Sequence, residues 1–160
     1  MPERLVVLLV EDSDDDAMIV RKAFEKADIP NPLYVVRDGE AAIAYLSGTG
    51  KYAVTDEYPL PALVLLDLNL PGMDGFEVLT WIRHTPGLSA MRVVVVTCSD
   101  AIKDVNRAYS LGANSFVVKE IDFENTVKLA RLLEEHWLRE AKVPSASRVE
   151  DVGEKVHAGD

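Results

Sequence analysis

The chain has 160 residues, of which 48% are hydrophobic and 28% charged, and its formal net charge is −10. This length supports one domain with a hydrophobic core, but not two domains of typical size. The acidic balance argues against binding to nucleic-acid phosphates, which requires lysine and arginine, and it suits a basic partner or a divalent cation.

Short apolar runs alternate with longer amphipathic segments along the chain. The runs that predict strands cover residues 5–10, 33–36, 62–67, 92–97 and 115–119. The segments that predict helices cover about residues 14–27, 39–46, 75–85, 100–111 and 123–141. Strands rich in valine and leucine that alternate with helices predict a parallel sheet buried on both faces, in an α/β three-layer sandwich.

Capping residues mark where most of these helices begin. We expect N-caps at Ser13, Asp74, Ser99 and Asp122, whose side-chain oxygens can accept hydrogen bonds from helix N–H groups. The aspartates of residues 14–16 follow the first cap, and we interpret them as a solvated helix start that the helix dipole favours.

The remaining segments set the limits of the domain. Gly112 is expected to stop the fourth helix, and residues 47–61 form a long polar loop. We assign residues 1–142 to one domain and residues 143–160 to a flexible polar tail.

The single cysteine, Cys98, excludes a disulfide within the chain and is typical of a reducing compartment. The apolar run of residues 5–10 is too short to cross a bilayer. Glu11 and Asp12 follow it directly, where a signal peptide would have its cleavage region. We therefore expect a cytoplasmic protein.

Polar side chains follow four of the five predicted strands. They are Glu11 with Asp12, Asp67, Thr97 and Lys119. Because the carboxyl ends of parallel strands meet at one edge of a sheet, where such folds bind ligands, we expect these side chains to converge.

Carboxylates that lie together repel one another, and a hard divalent cation such as Mg²⁺ relieves that repulsion. We predict Asp12 and Asp67 as direct Mg²⁺ ligands, Glu11 as a ligand through a water molecule, and the main-chain carbonyl of Asn69 as a further ligand. No other cofactor is indicated.

A carboxylate can also act as the nucleophile in phosphoryl transfer, giving an acyl phosphate. Asp67 has the central strand position for this role. The negative charge on the transferring oxygens must be balanced, and Mg²⁺, Lys119 and the Thr97 hydroxyl can do so.

The order and spacing of four segments resemble the motifs of bacterial response-regulator receiver domains, over about residues 4–140. The segments are LLVEDSDDDA, LLDLNLPGMDGFEVL, VVVVTCSD and GANSFVVK. The resemblance implies a flavodoxin-like sheet with strand order 2-1-3-4-5. It also implies a two-component histidine kinase as phosphodonor and Asp67 as phosphoacceptor. Thr97 and Phe116 would be the switch residues that couple the site to the face of the fourth helix, fifth strand and fifth helix.

One position departs from the family pattern. Glu120 stands where receivers usually have a proline after the lysine, which leaves the geometry of the loop after Lys119 open.

Two features are similar to single-domain regulators that accompany bacterial phytochromes: the long loop of residues 47–61 and the EEHWL sequence of residues 134–138. This similarity implies a phytochrome kinase as partner. Only a short tail follows the receiver, so we expect no DNA-binding output domain and an output through protein contacts. We do not expect an enzyme in the metabolic sense.

The apolar stripe of the last helix is wider than contact with one sheet face requires. Leu129, Leu132 and Trp137 therefore predict a homodimer through this helix, the alternative being a helix end covered by the tail.

Two other functions fit part of the pattern. A haloacid-dehalogenase-type phosphatase also uses an aspartate nucleophile with Mg²⁺, but it normally needs a second aspartate two residues later as general acid, where this chain has Asn69. A phosphorylation-independent interaction module is the other alternative, and the complete set of polar site residues argues against it.

Overall fold

Five strands alternate with five α-helices in the computed structural model, which describes residues 5–138. The strands are β1 (Val7–Val10), β2 (Leu33–Val36), β3 (Leu63–Leu66), β4 (Val93–Thr97) and β5 (Ser115–Val118). The helices are α1 (Asp14–Lys26), α2 (Gly39–Ser47), α3 (Gly75–His84), α4 (Ile102–Ser110) and α5 (Phe123–Leu133). Within residues 5–138, no helix combines the length and apolar character that a bilayer crossing requires.

The strands form one parallel sheet in the order β2-β1-β3-β4-β5, which confirms the predicted fold class and strand order. The three inner strands are fully buried, as expected where helices cover both faces. The edge strand β5 is only partly buried.

Alternate residues of each inner strand supply two separate cores, because successive strand side chains point to opposite faces. Leu8 and Val10 of β1 pack into the core beneath α2, α3 and α4. Val7 and Leu9 of the same strand pack into the core beneath α1 and α5. The sheet is thereby fixed between two helical layers, and its carboxyl edge stays open between them.

Three of the four predicted N-caps are confirmed. The side chains of Ser13, Asp74 and Asp122 accept hydrogen bonds from the first-turn N–H groups of α1, α3 and α5. Asp74 also forms a capping box with Glu77. The helix boundaries at these points were therefore readable from the cap residues alone.

The prediction that Ser99 caps the fourth helix is wrong. α4 begins at Ile102, and its N-cap, Ala101, makes no side-chain cap hydrogen bond. The Ser99 hydroxyl instead donates to Oδ2 of Asp104 at 2.6 Å. Its oxygen also accepts a hydrogen bond at 3.4 Å, but from the N–H of Ala101, which precedes the helix, so the side chain contacts α4 from the preceding loop without capping it. Gly112 follows the end of α4, as predicted.

The last helix keeps α geometry to Leu133 and ends, within the described residues, in a π-helical turn over Glu134–Leu138. The predicted continuation to residue 141, residues 1–4 of the domain and the predicted tail all lie outside the described residues.

The prediction that Leu129, Leu132 and Trp137 share an exposed surface is only partly right. Leu132 is 50% exposed. Leu129 is half-buried and lines a cavity of about 40 Å³ beneath α1 and α5. Trp137 is half-buried against the core beneath α1 and α5, and the guanidinium of Arg92 lies 5.9 Å from the centroid of its ring. The π-helical turn accounts for part of this difference, because it changes which side chains face the sheet.

The long loop before β3 is anchored by tyrosines. Four rings, from Tyr34, Tyr45, Tyr52 and Tyr58, pack against one another with centroids 5.0 to 6.0 Å apart. The Tyr45 hydroxyl donates to the carbonyl of Pro59 at 2.8 Å, and that of Tyr34 donates to the carbonyl of Glu57 at 3.0 Å. The loop is therefore packed onto the domain at the amino end of β3.

Arg83 of α3 joins the loop before β4 to the loop before β5. Its guanidinium donates to the carbonyls of Ser89, Met91 and Gly112 and to the side-chain oxygen of Asn114, at 2.6 to 3.1 Å. Burial lowers the pKa of this guanidinium. Gly112 has φ +104°, and a Cβ there would lie 2.8 Å from Nε of Arg83.

We expect Gly112→Ala to lower the free energy of unfolding by about 2–4 kcal/mol, because it adds backbone strain to a clash with a buried guanidinium. Gly50→Ala is the matched control, since Gly50 also has positive φ but open space around its Cβ. The control should lose only about 1–2 kcal/mol. Urea unfolding measures both, and equal losses would contradict a steric role for Arg83.

Candidate functional site

Main-chain hydrogen bonds hold the carboxyl ends of the strands side by side. The Asp67 N–H donates to the carbonyl of Val10 at 3.1 Å, which joins the ends of β3 and β1. The Lys119 N–H donates to the carbonyl of Thr97 at 2.8 Å, which joins the ends of β5 and β4. The side chains that follow these strands are thus brought to one edge of the sheet.

The Lys119 ammonium is the centre of the site. Its Nζ lies 2.6 Å from Oε1 of Glu11, 2.9 Å from Oδ2 of Asp67 and 2.8 Å from Oδ2 of Asp16. Burial alone would lower the pKa of Lys119, but hydrogen bonds to Asp16, Glu11 and Asp67 raise it well above its ordinary value. The side chain therefore stays positively charged at neutral pH.

Three carboxylates form a candidate metal centre. Glu11, Asp12 and Asp67 each offer an oxygen, and these oxygens all lie within 4.8 Å of one another. Glu11 and Asp67 are buried, whereas Asp12 is exposed. Three converging carboxylate oxygens suit a hard divalent cation, which would also offset the cost of burying them.

Burial raises the pKa of Glu11 to about 6, and the nearby charge of Asp67 acts in the same direction. Lys119 and the N–H of Ser13, which donates to Oε2 of Glu11 at 3.1 Å, act against this rise. Glu11 is thus stabilised as a carboxylate mainly by its neighbours and little by water.

Asn69 lies beside Asp67 and contacts it through its main chain. Its N–H donates to Oδ1 of Asp67 at 3.1 Å, while its side chain is exposed. This contact places the Asn69 backbone at the carboxylate cluster. Its carbonyl as a metal ligand stays a prediction.

Thr97 ends the neighbouring strand, and its hydroxyl has an unusual environment. The residue is fully buried, and its Oγ1 has no hydrogen-bond partner within residues 5–138. A buried hydroxyl without a partner is costly, and such a group is a candidate for a functional contact. The Thr97 hydroxyl is therefore a candidate for a contact that residues 5–138 do not supply.

The structure does not bring Phe116 to the carboxylates. Its side chain is half-buried against the core beneath α2, α3 and α4. Its N–H, on the edge strand, donates to the hydroxyl of Tyr109 from α4 at 3.1 Å. Phe116 therefore lies beside α4, one layer away from the charged site.

One structural feature at the site differs from the sequence interpretation. Asp16 is not part of a purely solvated helix start, since it contacts Lys119. Successive helix positions point in directions about 100° apart, so one of three adjacent aspartates could face the sheet, but the sequence does not show which.

The sequence left open the geometry of the loop after Lys119, where Glu120 stands in place of proline. The peptide bond before Glu120 is trans, because the described residues contain no cis peptide bond.

Comparison with known proteins gives one family. The model of the response regulator receiver domain matches residues 7–131. The response regulator Rcp1 of Synechocystis sp. is 39% identical over 141 residues, which cover 88% of this chain and 94% of that protein.

Solved structures agree with this match. The Mn²⁺-bound form of Rcp1 is similar with a TM-score of 0.76 and 38% identity, over 88% of this chain and 99% of that one. The phosphorylated cyanobacterial phytochrome response regulator RcpA has a TM-score of 0.80 and 36% identity, over 89% and 100%. Response regulator RPA3017, in red light signalling of R. palustris, has a TM-score of 0.83 and 34% identity, over 88% and 99%.

The environment of the Thr97 hydroxyl predicts how an isosteric apolar substitution at this residue will change the stability of the fold. We expect Thr97→Val to raise the free energy of unfolding by about 1 kcal/mol, because it removes a buried polar group that has no partner. Thr80→Val is the control, since the Thr80 hydroxyl donates to the carbonyl of Phe76 at 2.8 Å. Chemical denaturation should show no gain for the control. A loss of stability in Thr97→Val equal to that of the control would show that the hydroxyl is bonded.

Proposed function

We propose that this chain, which belongs to the family of response regulator receiver domains, accepts a phosphoryl group from a histidine kinase on Asp67 and acts as a switch in a two-component phosphorelay. The proposed function rests on one arrangement of side chains. The buried Asp67 carboxylate contacts the Lys119 ammonium and lies within the cluster of Glu11 and Asp12, while the buried Thr97 hydroxyl on the next strand has no hydrogen-bond partner in the described part of the chain.

The transfer uses groups that this chain supplies. An oxygen of the Asp67 carboxylate forms a bond to phosphorus as the phosphorus–nitrogen bond of the donor phosphohistidine breaks, and the imidazole leaves with the bonding electrons. The Lys119 ammonium balances charge on the transferring oxygens, and the Thr97 hydroxyl is free to donate to one of them.

The cation in this proposal is Mg²⁺. Asp12 and Asp67 would bind it directly, Glu11 through a water molecule and Asn69 through its carbonyl, and the bound cation would supply further charge neutralisation. The three converging carboxylate oxygens support this assignment. Receiver domains bind a divalent metal, and the similar Rcp1 structure contains Mn²⁺. No cofactor other than Mg²⁺ is proposed.

The output of the switch would come from the face of α4, β5 and α5. Thr97 would move toward the phosphoryl group, and Phe116 would respond beside α4. Exposed apolar side chains concentrate on this face, which suits a surface for protein partners. They are Ile102, Tyr109, Val118, Ile121 and Phe123.

The phosphodonor we favour is a bacterial phytochrome kinase. RcpA is a phytochrome response regulator and RPA3017 belongs to red light signalling, and both are similar to this chain over almost their whole length. We further propose a cytoplasmic signalling protein without metabolic enzyme activity, with residues 1–142 as the receiver and residues 143–160, which lie outside the described residues, as a separate C-terminal segment. It would bind neither nucleic acid nor membrane, which its net charge of −10 supports.

The decisive test is intact mass after incubation with acetyl phosphate and Mg²⁺. We expect the wild type to gain one phosphoryl mass, and expect no gain with EDTA or in Asp67→Asn, because the nucleophile is then lost. Asp15→Asn, an exposed aspartate on α1, is the matched control and should be labelled like the wild type. A gain in Asp67→Asn, or none in the wild type together with no beryllofluoride binding, would refute the assignment.

We also propose a homodimer through the last helix, and Leu132 is the residue that tests it. Leu132→Glu should weaken self-association at least about tenfold, because it places a charge in an apolar contact. Ile19→Glu on α1 is the control, since Ile19 is 43% exposed, close to the 50% of Leu132. Sedimentation velocity compares the proteins with and without beryllofluoride. A wild type that stays monomeric at high concentration in both states would exclude the dimer.

A further inference from the structure

The Lys119 ammonium shares its partners with the candidate metal centre. Two of its three carboxylates, Glu11 and Asp67, belong to the group whose oxygens converge within 4.8 Å. The third, Asp16, lies outside that group, on the first turn of α1, with its Oδ2 2.8 Å from Nζ. Asp16 is therefore the only one of the three that a cation at this centre would leave to the lysine.

A cation and an ammonium that need the same carboxylates compete for them. The Lys119 side chain is only 16% exposed, so water can replace few of the contacts that it would lose. A carboxylate that stays bound to the ammonium lowers the free-energy cost of separating the ammonium from Glu11 and Asp67. Asp16 has the distance and the charge for this role, and its side chain is 37% exposed.

We propose that Asp16 is a positioning residue, which retains the Lys119 ammonium at the acceptor when a divalent cation takes Glu11 and Asp67. This inference rests on the proposed function of the same site. Asp16 touches neither the transferring group nor the cation in this proposal, and acts only through Lys119. Without it, the ammonium would bind Glu11 and Asp67 more tightly and oppose the cation.

The test is the affinity of the unphosphorylated protein for Mg²⁺, measured by calorimetry. Asp16→Asn should weaken binding about fivefold, a coupling of the size usual between groups in one charged network. Asp15→Asn removes the same charge from the adjacent, exposed position, and should weaken binding less than about twofold. Equal effects of the two variants would overturn the inference.

A second pair of variants separates action through Lys119 from a direct effect of charge on the cation. In the Lys119→Met background, Asp16→Asn should change Mg²⁺ affinity less than about twofold, because the group through which it acts is gone. A full fivefold effect in that background would overturn the positioning role.

Phosphorylation distinguishes failure of this inference from failure of the proposed function. If the wild type binds Mg²⁺ and gains a phosphoryl mass while Asp16→Asn behaves as Asp15→Asn, only the role of Asp16 is wrong. If the wild type binds no Mg²⁺ and gains no phosphoryl mass, the proposed function fails and the inference fails with it.

Discussion

The contact between one ammonium and three carboxylates is the interaction on which the site depends. Glu11 and Asp67 are almost completely removed from water, and two buried carboxylates this close to each other would be unstable without a cation. Lys119 supplies that cation from the edge strand, and its own burial is offset by the same contacts. The site is therefore held together electrostatically before any metal binds, although it is acidic overall.

The sheet explains why these charges meet. Glu11, Asp67 and Lys119 each follow a strand of the parallel sheet, so the main-chain hydrogen bonds that continue beyond the strands also align these ends, while Asp16 reaches them from the first turn of α1. Alternation along β1, β3 and β4 fills both cores with apolar side chains, which leaves the carboxyl edge as the place where polar side chains can lie without entering a core. The chemistry is concentrated there because the packing excludes it elsewhere.

The features that the sequence predicted are those set by local pattern. The apolar runs located every strand, and the caps at Ser13, Asp74 and Asp122 located three helix starts, because each signal acts within a few residues. The strand order came from resemblance to a family and not from pattern, since register and order depend on pairings far apart in the chain.

The features that the sequence did not predict depend on contacts between distant elements. The pairing of Asp16 with Lys119 spans 103 positions, and it decides the role of an aspartate that looks solvated in isolation. Leu129 and Trp137 looked free because the groups that they contact, in the cavity beneath α1 and at Arg92, lie far from them in the sequence. Ser99 is a local exception: its oxygen accepts from the N–H of Ala101, before the helix, while its hydroxyl donates to Asp104 inside the helix, and a cap residue in the sequence does not show which N–H group it will meet.

α4 differs from the other helices in how it is attached, and this bears on how a change at Thr97 could be transmitted. It buries only Ala108 fully, whereas α3 buries five residues. Much of its attachment is polar: Asp104 accepts from Ser99 in the loop after β4, and the Tyr109 hydroxyl accepts from the edge strand at Phe116. A helix with little buried apolar surface is inexpensive to displace. Because its polar contacts lead to the loop after Thr97 and to the strand of Phe116, movement at either point changes the position of α4 more readily than that of α3. The proposed switch, in which the face of α4, β5 and α5 responds to the state of Asp67, would use this difference.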